Sequence, residues 1–152
     1  MNLTLFEELI FTSRAAERII YGTTNYSVCD LYIDRAAQRI VVQIANSNRL
    51  IVLEAREFLD NFVSTRQKKA TKLEIKKQVS WGYVVYNPEN NHTYTVTPAS
   101  KSAVCSCPDY QKQIEAIGRG CCKHGYRVLQ HLGHKTLSEY IDANKSEYAN
   151  AC

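Results

Sequence analysis

The stretch Cys105-Ser106-Cys107, followed after fourteen intervening residues by Cys122-Lys123-His124, decides how this chain is read. Three thiols and one imidazole in two short clusters supply the closed, soft, four-coordinate donor set that structural zinc takes. Residues two apart on an extended strand point to the same side, so Cys105 and Cys107 can present both sulfurs to one ion. Pro108 suits the first position of a helix. Cys107 is then the expected N-cap, where the positive end of the helix dipole favours a thiolate. Tyr110, Ile114 and Ile117 fall at i, i+4 and i+7, one stripe of a short helix.

The second cluster obeys a different geometry. Residues two apart inside a helix diverge around its axis, so Cys122 and His124 cannot both lie mid-helix and share an ion. Gly118-Arg119-Gly120 supplies a turn just before them. Cys122 is therefore expected at the turn and His124 in the first turn of a helix. Tyr126, Leu129 and Leu132 continue that helix to Gly133, which ends it. A Cys121-x-x-His124 pair is also sterically open, so the third thiolate is either Cys122 or Cys121.

These residues resemble a known family. Cys-x-Cys, a spacer and Cys-x-His is the pattern of the SWIM zinc-binding domain, and residues 81–104 look like the β-hairpin that precedes its metal. The resemblance covers about 81–132, a third of the chain, and favours Cys105, Cys107, Cys122 and His124 as ligands of one structural zinc ion. It implies a binding module associated with DNA transactions and protein partners. Such modules occur in chromatin-remodelling ATPases, plant transposases, ubiquitin-pathway proteins and small recombination accessory proteins, and this short chain looks most like the last group.

Outside the motif, the coarse pattern is α-β-β-β-α, then β-β-zinc-α-α, an α+β protein. Thr4-x-x-Glu7 reads as a capping box opening one helix, with Phe6, Leu9, Ile10, Ser13, Ala16 and Ile20 on its stripe and Gly22 at its end. β-prone runs at 27–33, 39–44 and 50–53, separated by hairpin-length connections, predict an antiparallel meander. Residues 54–69 predict a second helix with Phe58, Leu59, Phe62 and Val63 on one side. Residues 72–80 alternate weakly and read as strand or connector. Trp81, Tyr83 and Val85 alternate, residues 87–91 turn, and Tyr94 and Val96 run back, with the aromatic residues expected in a core. Thr136-x-x-Glu139 is another capping box, opening a helix with Leu137, Tyr140, Ile141 and Tyr148. The domain boundaries that follow are an N-terminal α+β region at 1–78, the zinc module at 79–133 and a C-terminal helix at 134–152.

Composition bounds the function. The chain has 152 residues, 45% hydrophobic and 22% charged, with a net charge of +4. No stretch approaches the ~20 apolar residues that span a bilayer. Glu7, Glu8, Arg14, Glu17 and Arg18 interrupt the N-terminal apolar pattern as no signal segment tolerates. An intracellular, reducing setting follows, in which clustered Cys and His are metal ligands rather than disulfides. Cys29 is expected packed and Cys152 free. His92, His131 and His134 are expected at the surface or at caps.

Positive charge is concentrated at 66–77, where Arg66, Lys68, Lys69, Lys72, Lys76 and Lys77 face only Glu74. With Lys123 and Arg127 these form the candidate nucleic-acid contacts. Lys101, Lys112 and Arg119 add charge around the metal cluster, and the tyrosines and Trp81 offer stacking faces. A zinc ion whose four positions are all filled by protein leaves none for water or substrate, which argues against an enzyme. Cys121 as a nucleophile lacks a base, because His124 is already claimed. The expected function is a non-catalytic zinc module that binds nucleic acid, DNA foremost, in recombination, mobile-element or regulatory processes. It is expected to take no membrane and no small-molecule substrate. The alternative is a protein–protein adaptor in which the zinc is purely structural.

Overall fold

The computed structural model describes residues 2–24 and 28–149; Ser27 and Cys152 lie outside it, as do the side chains of Cys29 and Tyr148. The chain is α+β with antiparallel sheets and divides into two compact units, one at Leu3–Thr65 and the other from Arg66 onward. No helix among the described residues is long and apolar enough to cross a membrane.

The first unit opens with two helices where one was expected: α1 (Leu3–Ile10) and α2 (Ser13–Tyr21). The break is local chemistry. Thr12 adopts an extended backbone and its hydroxyl accepts the Ala15 N–H at 3.1 Å, the bond of an N-cap. An apolar stripe that continues in phase hides such a cap. The Thr4 capping box does not form either. The helix has already begun at Leu3, and Glu7 instead pairs with Arg35 at 2.7 Å. Gly22 closes α2 with φ +73°, as its position predicts.

Strands β1 (Val28–Asp34), β2 (Arg39–Ile44) and β3 (Leu50–Glu54) form the expected meander. Alternation places Ile40, Val42 and Leu53 on one face, in a core with Ile10, Ala15, Ala16 and Phe58. Phe58 lies on α3 (Ala55–Ala70), and its ring meets Phe11 edge-on at 5.4 Å. Leu59 and Val63 remain exposed, because the buried stripe of α3 follows Ala55, Phe58 and Phe62.

The second unit is built on a four-stranded antiparallel sheet, ordered β4 (Glu74–Val79), β5 (Gly82–Asn87), β6 (His92–Ala99) and β7 (Ser102–Cys105). The weakly alternating segment is thus a strand. Its exposed Lys76 and Lys77 suit an edge, where unpaired backbone must be kept from other chains. Its poor alternation has a cause: the register slips between Ile75 and Lys77. Trp81 departs from expectation. Val79 pairs with Gly82, so Trp81 sits in the connecting turn and stays 55% exposed, while Tyr83 and Val85 are buried. Helices α4 (Pro108–Ile117), α5 (Lys123–His131) and α6 (Leu137–Ala149) complete the unit. The Thr136 capping box forms: Glu139 N donates to Thr136 Oγ1 at 3.1 Å, and Thr136 N to Glu139 Oε2 at 3.3 Å.

The helix break carries a prediction whose sign discriminates. Thr12→Ala should lower stability by about 1 kcal/mol in urea unfolding, because a cap is lost. In a continuous helix the same change would raise stability, since alanine is the better helix former.

Candidate metal centre

Strand β7 delivers Cys105, and the ladder runs one step further. Thr95 N donates to Ser106 Oγ at 3.0 Å and Ser106 N to Thr95 O at 3.1 Å. The chain then turns at Cys107. Its backbone is extended, its sulfur accepts the Tyr110 N–H at 3.4 Å, and Pro108 begins α4. Cys122 repeats the device for α5, accepting the Gly125 N–H at 3.4 Å. Two of the three sulfurs therefore sit at helix N-termini, where the dipole stabilises negative charge. His124 follows in the first turn of α5.

The ligand atoms of Cys105, Cys107, Cys122 and His124 all lie within 4.8 Å of one another, and all four side chains are buried. Tetrahedral zinc with bonds near 2.3 Å to sulfur holds its donors about 3.8 Å apart, so little movement is needed for all four to share an ion. The imidazole supports the same fit. Nδ1 lies 3.8 Å from Cys122 Sγ, and Nε2 is buried without a hydrogen-bond partner among the described residues. Tyr94 packs against the ring with centroids 4.7 Å apart, fixing its orientation. Cys121 is outside the cluster. Its thiol approaches the Cys122 carbonyl at 3.9 Å, and burial pushes its pKa up.

The electrostatics explain why a cation belongs here. Hydrogen bonds from Cys105 and Cys122 hold Cys107 well below the usual thiol range. The donors move the other way: Cys105 is pushed up to about 12, chiefly by its bond to Cys107, and Cys122 is raised by its bonds to Cys105 and Cys107. By themselves the three sulfurs favour one thiolate and two thiols. A divalent cation lets all three ionise together.

The candidate nucleic-acid residues have varied surroundings. Arg66 clasps Asp109 through both carboxylate oxygens, at 2.6 and 3.1 Å, and Arg127 Nε donates to the Leu73 carbonyl at 2.8 Å. Lys68 and Lys77 are exposed, and Lys76 pairs with Glu74 while its ammonium lies 4.7 Å from the centre of the Tyr86 ring. Lys72 bonds Glu89 at 3.0 Å. That bond holds the Glu89 carboxyl below its usual range, and the charges of Lys123 and Lys69 act in the same direction. Sequence reasoning missed the bonds that Asp109 makes with Arg66 and Gln113, the bond from Cys121 N to Gln113, and the packing of Tyr94 on the His124 ring. Gln113 is a polar residue one turn on from Tyr110 on the buried side of α4, the one signal that could have exposed it.

The SWIM zinc finger family model matches residues 85–133. No curated protein and no solved structure matches the chain.

Cys105→Ser and His124→Ala should each release zinc and loosen the second unit, whereas Cys121→Ser should retain one zinc per chain by elemental analysis. Retention in Cys105→Ser would show the donor set to be wrong. Zinc uptake near pH 7 should release about two protons, one from each raised thiol, and affinity should fall with falling pH as the sulfurs are reprotonated. Calorimetry in buffers of different ionisation enthalpy measures that proton count. Residues 85–133 thus match the SWIM zinc finger model and hold a Cys3His donor set that suits one structural zinc ion.

Proposed function

We propose that this chain is a non-catalytic module whose zinc-bearing unit docks on nucleic acid, DNA foremost, within recombination, mobile-element or regulatory processes. The observation that carries it is the grouping of Lys72, Lys123 and Lys69 around the single carboxylate of Glu89. Those lysines come from the end of α3, the approach to β4 and the start of α5, so the fold brings Lys123 to the basic run that the sequence concentrates at 66–77. Residues 66–152 hold thirteen basic and seven acidic side chains, a net of +6, whereas residues 1–65 hold six and eight, a net of −2. A positive surface of this kind binds phosphates by releasing counterions. Lys68, Lys76 and Lys77 are exposed in the same unit and add to its positive charge, and exposed Trp81 offers a face on which an unpaired base can stack. The reduced thiols of the finger fit an intracellular setting.

A protein–protein adaptor is the second reading, and one observation favours it. Register places Tyr32, Val41 and Val52 side by side across the outer face of the meander. Tyr32 is 70% exposed and Val52 54%, with Leu50 beside them at 61%. The solvated face of an antiparallel sheet is ordinarily polar, and an apolar row there suits a protein contact.

Replacing Lys69, Lys72 and Lys123 with Gln tests the first reading. Affinity for a duplex of mixed sequence should fall at least tenfold in gel shift near 0.1 M salt, and the slope of log affinity against log salt should drop by about 3. Zinc content should not change. Unaltered affinity and slope would transfer the function to the meander face.

A further inference from the structure

We propose that Gln113 is a positioning residue of the metal centre, held in place by Asp109 and Arg66. Its hydrogen bonds go to the Cys121 backbone and to Asp109, and act on the ligands through the chain. Its side chain is 1% exposed, on the inner face of α4, and its two amide atoms make different bonds. Oε1 accepts the Cys121 N–H at 2.9 Å, and Nε2 donates to Asp109 Oδ2 at 3.2 Å. An N–H on one side and a carboxylate on the other leave one orientation of the amide that satisfies both. The Asp109 carboxylate is fixed in turn by the two bonds from Arg66, at 2.6 and 3.1 Å. A continuous relay therefore runs from α3 through α4 into the turn that carries Cys122.

The turn is shaped to receive it. A Cβ on Gly120 would lie 2.5 Å from both Cβ and Oε1 of Gln113, so the backbone rests directly on that side chain. Cys107 caps α4 and Cys122 caps α5. Gln113 ties the residue preceding the second cap to the helix begun by the first, setting the separation of two sulfurs independently of the ion. A ligand pair ordered in advance binds metal more tightly and releases it more slowly than one that must be ordered on binding.

This role presupposes the zinc centre described above, and the experiment separates the two. Zinc-loaded full-length protein is challenged with a chromogenic chelator, and the release rate and apparent affinity are read. Gln113→Met, similar in size but without donor or acceptor, should lower zinc affinity by about 10–100-fold. Its cobalt-substituted form should still show the tetrahedral sulfur-rich absorption, because all four ligands remain. Gln113→Glu keeps an acceptor for the Cys121 N–H but sets a second carboxylate against Asp109, and should also speed release. Arg66→Met, at the far end of the relay, should also speed release, and the double variant should be no worse than Gln113→Met alone. Release at the wild-type rate from Gln113→Met, or strictly additive effects of the two changes, overturns the relay. If Gln113→Met does not fold, Arg66→Met decides: faster release supports the relay and an unchanged rate overturns it. A wild type that takes up no zinc overturns the metal centre and the relay together.

Discussion

Three sulfurs and an imidazole buried within 4.8 Å of one another cannot all serve as electron donors unless a cation lies among them. The order of the second unit around the finger depends on that constraint. Cys105 ends a strand, Cys107 and Cys122 each open a helix, and His124 rides on the first turn of the second helix. One ion therefore ties β7, α4 and α5 at a single point. Structural zinc contributes roughly 10–16 kcal/mol to the folding of isolated finger peptides. A tie of that size decides the geometry of short helices, which at nine or ten residues are marginal alone.

The two units spend their residues differently. The first closes an aliphatic and aromatic core around Phe58 and carries a slight negative charge. The second carries the metal donors and all of the excess positive charge. Its core includes Cys105, Cys107 and Cys122 beside Val85, Val96 and Leu129, so the metal donors belong to the packing rather than to a loop. A site on packed elements presents its surface rigidly.

Much of this was legible in the sequence, and the failures have physical causes. Cap chemistry read well where it stood at an obvious boundary, Cys107 before Pro108 and Thr136 before Glu139, whereas Cys122 was expected only at the turn and also caps its helix. It misled where hydrophobic periodicity ran across it, so Thr12 was absorbed into one long helix. Strand β4 was ambiguous because a register slip spoils its alternation. Trp81 alternates with Tyr83 in sequence yet belongs to a turn, since periodicity does not mark the residue at which a strand begins. Arg66 read as one more charge in a basic run. Its partner is 43 positions away, and pairings of that kind leave no local signal.

X-ray absorption at the zinc edge of the purified full-length protein tests the central claim most directly. The expected first shell is three sulfurs near 2.3 Å and one nitrogen at about 2.0–2.1 Å, with no vacant or water-filled position. A four-sulfur shell would mean that Cys121 displaces His124. A shell dominated by oxygen and nitrogen would mean that the four side chains do not meet on a metal at all.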